Sequence, residues 1–176
     1  MAGHNKWSKI KRQKEKTDGQ KSKIFGKMVR LITVEAKKAG GNKESPGLRA
    51  AIEKAREFNV PNDNIERAIK KSSEGGAEME SITYEAYGPG GCGLIIEALT
   101  TNRNKAAQEV KYILSQHGYS LAGIGSVSWA FTRNTAMEWE AQTTIPLSFE
   151  DSEKLSTLID ELEENEEVQD VYTNAE

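Results

Sequence analysis

Six cations, Lys6, Lys9, Lys11, Arg12, Lys14 and Lys16, crowd the opening stretch MAGHNKWSKIKRQKEK around one aromatic, Trp7. Each can neutralise a phosphate and release its condensed counterions, which gives affinity for a polyanion without base preference. Trp7 adds a flat face for a nucleobase, a contact worth about 1–3 kcal/mol per stacked base. It can equally fold back as an apolar anchor. A second anion-directed group is TTNRNK at 100–105, where Asn102 would cap a helix and set Arg103 and Lys105 beside unpaired backbone amides. The alternative for that stretch is a capped turn whose cations meet only solvent.

Groups suited to catalysis are sparse. His4 and His117 are the two histidines, and they lack metal-ligand spacing. His117 precedes Gly118 at an expected helix end, where a side chain able to carry positive charge favours the dipole. Cys92 is the single cysteine and has no base beside it, so a buried thiol is the expectation. GPGGCG at 88–93 has the spacing of a phosphate-cradling glycine loop, but the strand-like LIIEAL follows it where that motif needs a helix. A hairpin turn is expected instead. The acidic run at 160–167 lacks the calcium-loop pattern and reads as a solvated helix end. These features argue for a chain that is not an enzyme, binds no metal or cofactor and takes no small-molecule substrate.

Charge is strongly segregated along the chain. Residues 1–71 hold 19 Lys and Arg against 8 Asp and Glu, whereas residues 138–176 hold 1 against 13. The formal net charge of −3 over 176 residues hides this division. A split of this size assigns the polyanion to the N-terminal part. No apolar run approaches the roughly 18–20 residues a membrane helix needs, and the N-terminus has no apolar signal core. A cytoplasmic protein without a membrane partner is expected, and a monomer is favoured.

The cations need elements to position them. Residues 1–20 have too little apolar surface to order on their own and are read as a basic arm. From Lys21 to Ala39, Ile24, Phe25, Met28, Leu31 and Ile32 recur at helical spacing, and Lys23, Lys27, Arg30 and Lys37 fall opposite them as a cationic ridge. Gly40 and Gly41 should stop this helix. Ser45 and Pro46 announce a second helix, with Leu48, Ala51, Ile52, Ala55 and Phe58 inward. A third starts near Pro61, with Ile65, Ala68 and Ile69 inside and Arg67, Lys70 and Lys71 outside. Together these make a basic three-helix domain over 21–75.

The pattern then changes from helical to alternating. Strands are expected at 83–87, 93–100, 126–131, 139–147 and 167–173, with helices at 102–116 and 151–163. Setting the first strand aside, the order β-α-β-β-α-β predicts a ferredoxin-like domain over 76–176 with an extra N-terminal strand. In the stretch Ser126–Phe131, Val127, Trp129 and Phe131 alternate with small residues and should face the helices. The fold class is therefore α+β.

Several stretches together resemble one family. Ala2, Gly3, His4, Lys6, Trp7 and Ile10, then PNDNIERAIK at 61–70, YEAYGPGG at 84–91, TTNRN at 100–104, His117–Gly118, GSVSWAF at 125–131 and VYTNA at 171–175 look like the YebC family, also called the translational activator of cytochrome c oxidase family. The resemblance covers essentially the whole chain. It implies a basic helical first domain, an α/β second domain, no enzymatic activity and a role in regulating gene expression. Some members are DNA-binding transcriptional regulators and others are translational activators working with the ribosome. The family usually inserts a third domain after the strand matching SWAF, and here only Thr132–Ala136 separates Phe131 from MEWEAQTTIPLS. The insertion is missing. Both rRNA on the ribosome and duplex DNA stay open as partners; the lack of a clear helix-turn-helix favours RNA.

Overall fold

The computed structural model describes residues 18–75 and 78–176. They divide into two compact units, one ending at Met79 and the other running from Glu80 to Glu176.

The first unit is a three-helix cluster: α1 (Asp18–Lys38), α2 (Pro46–Glu57) and α3 (Asn62–Lys71). Met28, Ile32 and Ala36 of α1 meet Leu48, Ala51, Ile52 and Ala55 of α2 and Ile65 and Ala68 of α3 in one buried core. Their three- and four-residue spacing is what a single apolar stripe per helix requires. Gly40 and Gly41 both take positive φ, and the Gly41 amide donates back to the Ala36 carbonyl at 2.8 Å, closing α1 as expected. Pro46 begins α2, but the Ser45 side chain makes no capping bond.

The second unit is a sheet covered on both faces. Its strands are β1 (Glu80–Tyr87), β2 (Gly93–Thr100) and β5 (Val168–Thr173), in the order β1-β2-β5 with both pairings antiparallel. Between β2 and β5 lie α4 (Arg103–Gln116), the short ribbon of β3 (Phe131–Arg133) and β4 (Trp139–Ala141), and α5 (Phe149–Glu164). Strand alternation sends Leu94 and Ile96 to one face, where Val110 and Leu114 of α4 and Leu155, Leu158 and Leu162 of α5 cover them. Ile95 and Tyr172 point to the other face and pack with Val127, Ala130, Phe131 and Ala141. GPGG forms the β1–β2 hairpin with a 3-10 turn at Pro89–Gly91, as the following strand implied. Gly90 has φ 68°, and a Cβ there would run into Leu147.

Helix and strand coexist in the expected order, yet two strands differ from expectation. Residues 126–130 do not form a strand: a 3-10 turn covers Ser128–Ala130, and β3 starts only at Phe131. The Val127 and Ser128 amides are taken by a side chain, described below, and the Ser126 and Ala130 amides turn back onto the Gly123 and Val127 carbonyls, so these groups are not offered to a neighbouring strand. The strand expected over 139–147 is confined to Trp139–Ala141, because the Gln142 and Thr143 amides turn back to the Ala130 carbonyl. The β3–β4 ribbon is thus a sheet of its own. An isolated parallel bridge, Ile145 to Ala175, adds a backbone link between this part of the chain and the residues after β5. Val127 and Phe131 consequently cover the sheet face opposite the helices.

Candidate nucleic-acid interface

Lys6, Trp7, Lys9, Lys11, Arg12, Lys14 and Lys16 lie outside the described residues. Of the four cations expected as a ridge on α1, Lys23 and Lys37 are exposed, and Lys37 pairs with Glu78 at 3.2 Å. Lys27 is only 9% exposed and Arg30 is half-buried; neither is a free cation. The ridge is therefore interrupted at its centre. Val34, two helical turns beyond Lys27, is buried too, so the covered arc of α1 extends past its apolar stripe onto the flank that carries Lys27. A lysine's methylene stem tolerates such burial while its ammonium seeks a polar partner.

Other cations of this unit remain open. Lys21, Lys23, Arg56, Lys70 and Lys71 are exposed, with no carboxylate within ion-pair distance among the described residues. Arg56, Lys70 and Lys71 sit in the last turns of α2 and α3, where the helix dipole favours positive charge. Lys43 is held by Glu66 at 2.7 Å, and Arg67 donates to the Asn64 side chain at 2.9 Å. What remains is a dispersed set of free cations concentrated at helix C-termini.

The strand-to-helix junction at 100–105 is a capped turn. The Asn102 side chain accepts the Lys105 amide at 3.1 Å, and the Thr100 hydroxyl accepts the Asn102 amide at 2.9 Å. Arg103 pairs with Glu80 at 2.8 Å. Lys105 lies 3.3 Å from Glu167 and 4.0 Å from Glu109. Both cations expected to face a phosphate are thus matched by carboxylates, and the acids outnumber them.

The feature that sequence reasoning missed is Glu85. Its side chain is 6% exposed, and its carboxylate accepts the backbone amides of Gly125 at 2.7 Å, Val127 at 3.0 Å and Ser128 at 2.7 Å. Its own carbonyl accepts the Ala122 amide at 2.8 Å. Burial by itself pushes the carboxyl pKa up, but these donors, with the Ser128 hydroxyl, overcome that and hold it below the ordinary 4.5. The clamp fixes the loop from Leu121 to Ala130. Tyr87 Oη and Trp129 Nε1 both donate to the Ser126 carbonyl, at 3.0 and 2.9 Å. Trp129, expected inside, is 71% exposed; Tyr87 is half exposed and Ile124 fully so. The YEAY and GSVSW stretches carry the signal only as two separate motifs.

Cys92 and His117 occupy structural positions, and His4 lies outside the described residues. Cys92 is buried beneath the hairpin, and burial pushes its thiol up, away from the nucleophilic thiolate. His117 caps the end of α4 and meets Glu161 at 2.9 Å. Among the described residues, no three His, Cys, Asp or Glu side chains are grouped to hold a metal, and no helix is long and apolar enough to cross a membrane.

Comparison with known proteins bears on both units. The family model described as the TACO1/YebC protein N-terminal domain matches residues 5–75. The model described as the TACO1/YebC second and third domain matches in two pieces, 79–138 and 132–175, which meet at the β3–β4 turn. A probable transcriptional regulatory protein of Thermoanaerobacter pseudethanolicus is 38% identical over 239 aligned positions, covering 100% of this chain and 97% of that protein. One from Fervidobacterium nodosum is 52% identical over 144 residues; that match spans 80% of this chain and 57% of the relative. A conserved hypothetical protein from Aquifex aeolicus, solved by crystallography, superposes with a TM-score of 0.83 at 29% identity, covering 97% of this chain and 96% of that one.

Proposed function

The chain belongs to the TACO1/YebC family, and from that premise we propose that it is a non-enzymatic, nucleic-acid-binding regulator of gene expression that acts on the ribosome through rRNA. The observation that carries this reading is the charge division: 19 cations against 8 acids over residues 1–71, and 1 against 13 over residues 138–176. A polyanion is drawn to the first part and repelled by the last. Contacts from the basic stretch 6–16 and from Lys21, Lys23, Arg56, Lys70 and Lys71 would go to phosphates, which position a protein without specifying sequence. Irregular rRNA suits such a surface, because its phosphates do not follow one groove and its unstacked bases accept an aromatic such as Trp7.

A second reading, a duplex-DNA transcriptional regulator, is favoured by the name that the curated relatives carry. The four residues 58–61 between α2 and α3 are also of the length found in helix-turn-helix units. Against it, the first turn of α3 offers Asn62 and Asp63, while Lys70 and Lys71 lie at its far end. Recognition helices present their N-terminal residues to base edges. The cations of α3 are better placed for phosphates.

The test is cosedimentation of the protein with purified ribosomes, with and without residues 1–20, beside a duplex-DNA gel shift at the same near-physiological salt. Ribosome binding that is lost with residues 1–20, and weak DNA binding, supports the rRNA reading. Tight, sequence-dependent DNA binding without ribosome association replaces it with the transcriptional one.

A further inference from the structure

The unit from Glu80 to Glu176 carries 17 acidic side chains against 5 basic ones, yet residues 118–132 contain no charge at all. This neutral stretch is the loop held by Glu85, and it ends in the β3 strand. It displays Ile124 and Trp129, with Tyr87 of β1 joined to Trp129 through their shared acceptor, the Ser126 carbonyl. Because the phenol O–H and indole N–H are both satisfied there, the ring faces are the parts left to a partner. Large exposed apolar side chains grouped in this way mark an interaction surface. Three backbone amides converging on one buried carboxylate, with Val127 and Ala130 set into the core, hold the loop so that Ile124 and Trp129 stay outside, which is the arrangement a preorganised contact requires.

The surroundings select the occupant. Aromatic platforms for single-stranded nucleic acid are paired with a cationic track along the backbone. Here the nearest cation in sequence, Arg133, lies 2.8 Å from Glu97 and over the Trp139 ring, and the rest of the unit is acidic. A phosphate chain would be repelled. Lys and Arg side chains would instead be attracted, and Arg also stacks on the faces of Trp and Tyr. We propose that Tyr87, Ile124 and Trp129 form a docking surface for a basic polypeptide segment that carries an apolar or aromatic anchor. It uses none of the cations assigned to nucleic acid, and it stands whether the regulator works on rRNA or on DNA.

The test uses the full chain and three fluorescent probes: a short Lys/Arg peptide with a central Trp-Leu pair, its twin with Ser-Ser in the centre, and an oligouridine. The expected result is that the Trp-Leu peptide binds at least about tenfold tighter than its twin, and that Tyr87→Ala with Trp129→Ala removes the difference. The double variant also removes two hydrogen bonds to the Ser126 carbonyl, so its thermal melt is recorded beside that of Ile124→Lys, which removes none. Ile124→Lys, a change at a fully exposed position, should independently weaken the Trp-Leu peptide. Equal binding of the two peptides would reduce the effect to general acidity and overturn the proposal, as would no binding. Oligouridine binding that the double variant abolishes and Ile124→Lys strengthens would make the surface a nucleobase platform and overturn it too.

Discussion

The Glu85 carboxylate accepts the backbone amide of Ser128 at 2.7 Å across 43 residues of chain, and the same group takes the amides of Gly125 and Val127. A single acidic side chain therefore does for the loop what a neighbouring strand would do for a sheet edge. Replacing Glu85 by Gln offers one acceptor oxygen and an NH2 group that opposes the amides. The expected loss is about 1–3 kcal/mol, read by denaturant unfolding of the second unit.

The same residue sets an acid limb of stability. Its folded pKa is depressed, so its contribution is fully present above the ordinary carboxyl value of 4.5 and is lost as pH falls through the lower, folded value. Melting temperature followed from pH 6 downward should drop more steeply for the native chain than for Glu85→Gln. Parallel curves would show that the carboxyl has the same pKa folded and unfolded, so that the amide donors do not lower it.

Polyanion affinity should separate from stability. Changing Lys9, Lys11 and Arg12 together to Glu is expected to abolish rRNA binding; three neutral replacements should instead lower the slope of log K against log salt by roughly 2–3. Neither set should move the thermal melt appreciably. A large fall in melting temperature would mean that these residues pack, and that the electrostatic reading of the opening stretch is wrong.

Lys70 and Lys71 test the helical unit in the same way. Their replacement by Ala should weaken binding, with stability held within about 0.5 kcal/mol, because both are exposed and unpaired. Arg103→Ala and Lys105→Ala should leave binding unchanged, since carboxylates already match both. Filter binding on the two double variants distinguishes these positions.

The hairpin between β1 and β2 should resist substitution at Gly90. Its φ of 68° disfavours any side chain, and a Cβ would meet Leu147. Gly90→Ala is expected to cost about 1–3 kcal/mol, measured by chemical unfolding.

What the sequence disclosed follows from how far each signal reaches along the chain. The α1 stripe, the Gly40–Gly41 stop, the GPGG turn and the Asn102 cap depend on neighbours within a few residues, and all were legible. Ser126–Ala130 alternates like a strand, but the partner of its Val127 and Ser128 amides is a carboxylate some forty residues earlier, and no local periodicity encodes that. That alternation points Trp129 inward, and the loop turns it out instead. The helical wheel alone sets the α1 cations opposite the apolar stripe, and it cannot show that covered surface reaches Lys27 and Val34. Of the proposed contact residues, those in the opening stretch are outside the described structure, and Arg103 and Lys105 are paired with Glu80 and Glu167, acids far from them in sequence.

The β3–β4 turn has a consequence for how this family varies. Asn134 closes it compactly: its side chain accepts the amides of Ala136 and Glu138, and its carbonyl accepts that of Met137. The two pieces of the family model meet at this point, between strands already paired side by side. Any segment spliced here leaves and re-enters through adjacent doors, so the sheet, its register and the clamp at Glu85 need not adjust to it. Lengthening such a loop costs only about 0.6 kcal/mol per doubling. The hairpin thus behaves as a socket, and evolution can change the attachment without redesigning the body that carries it.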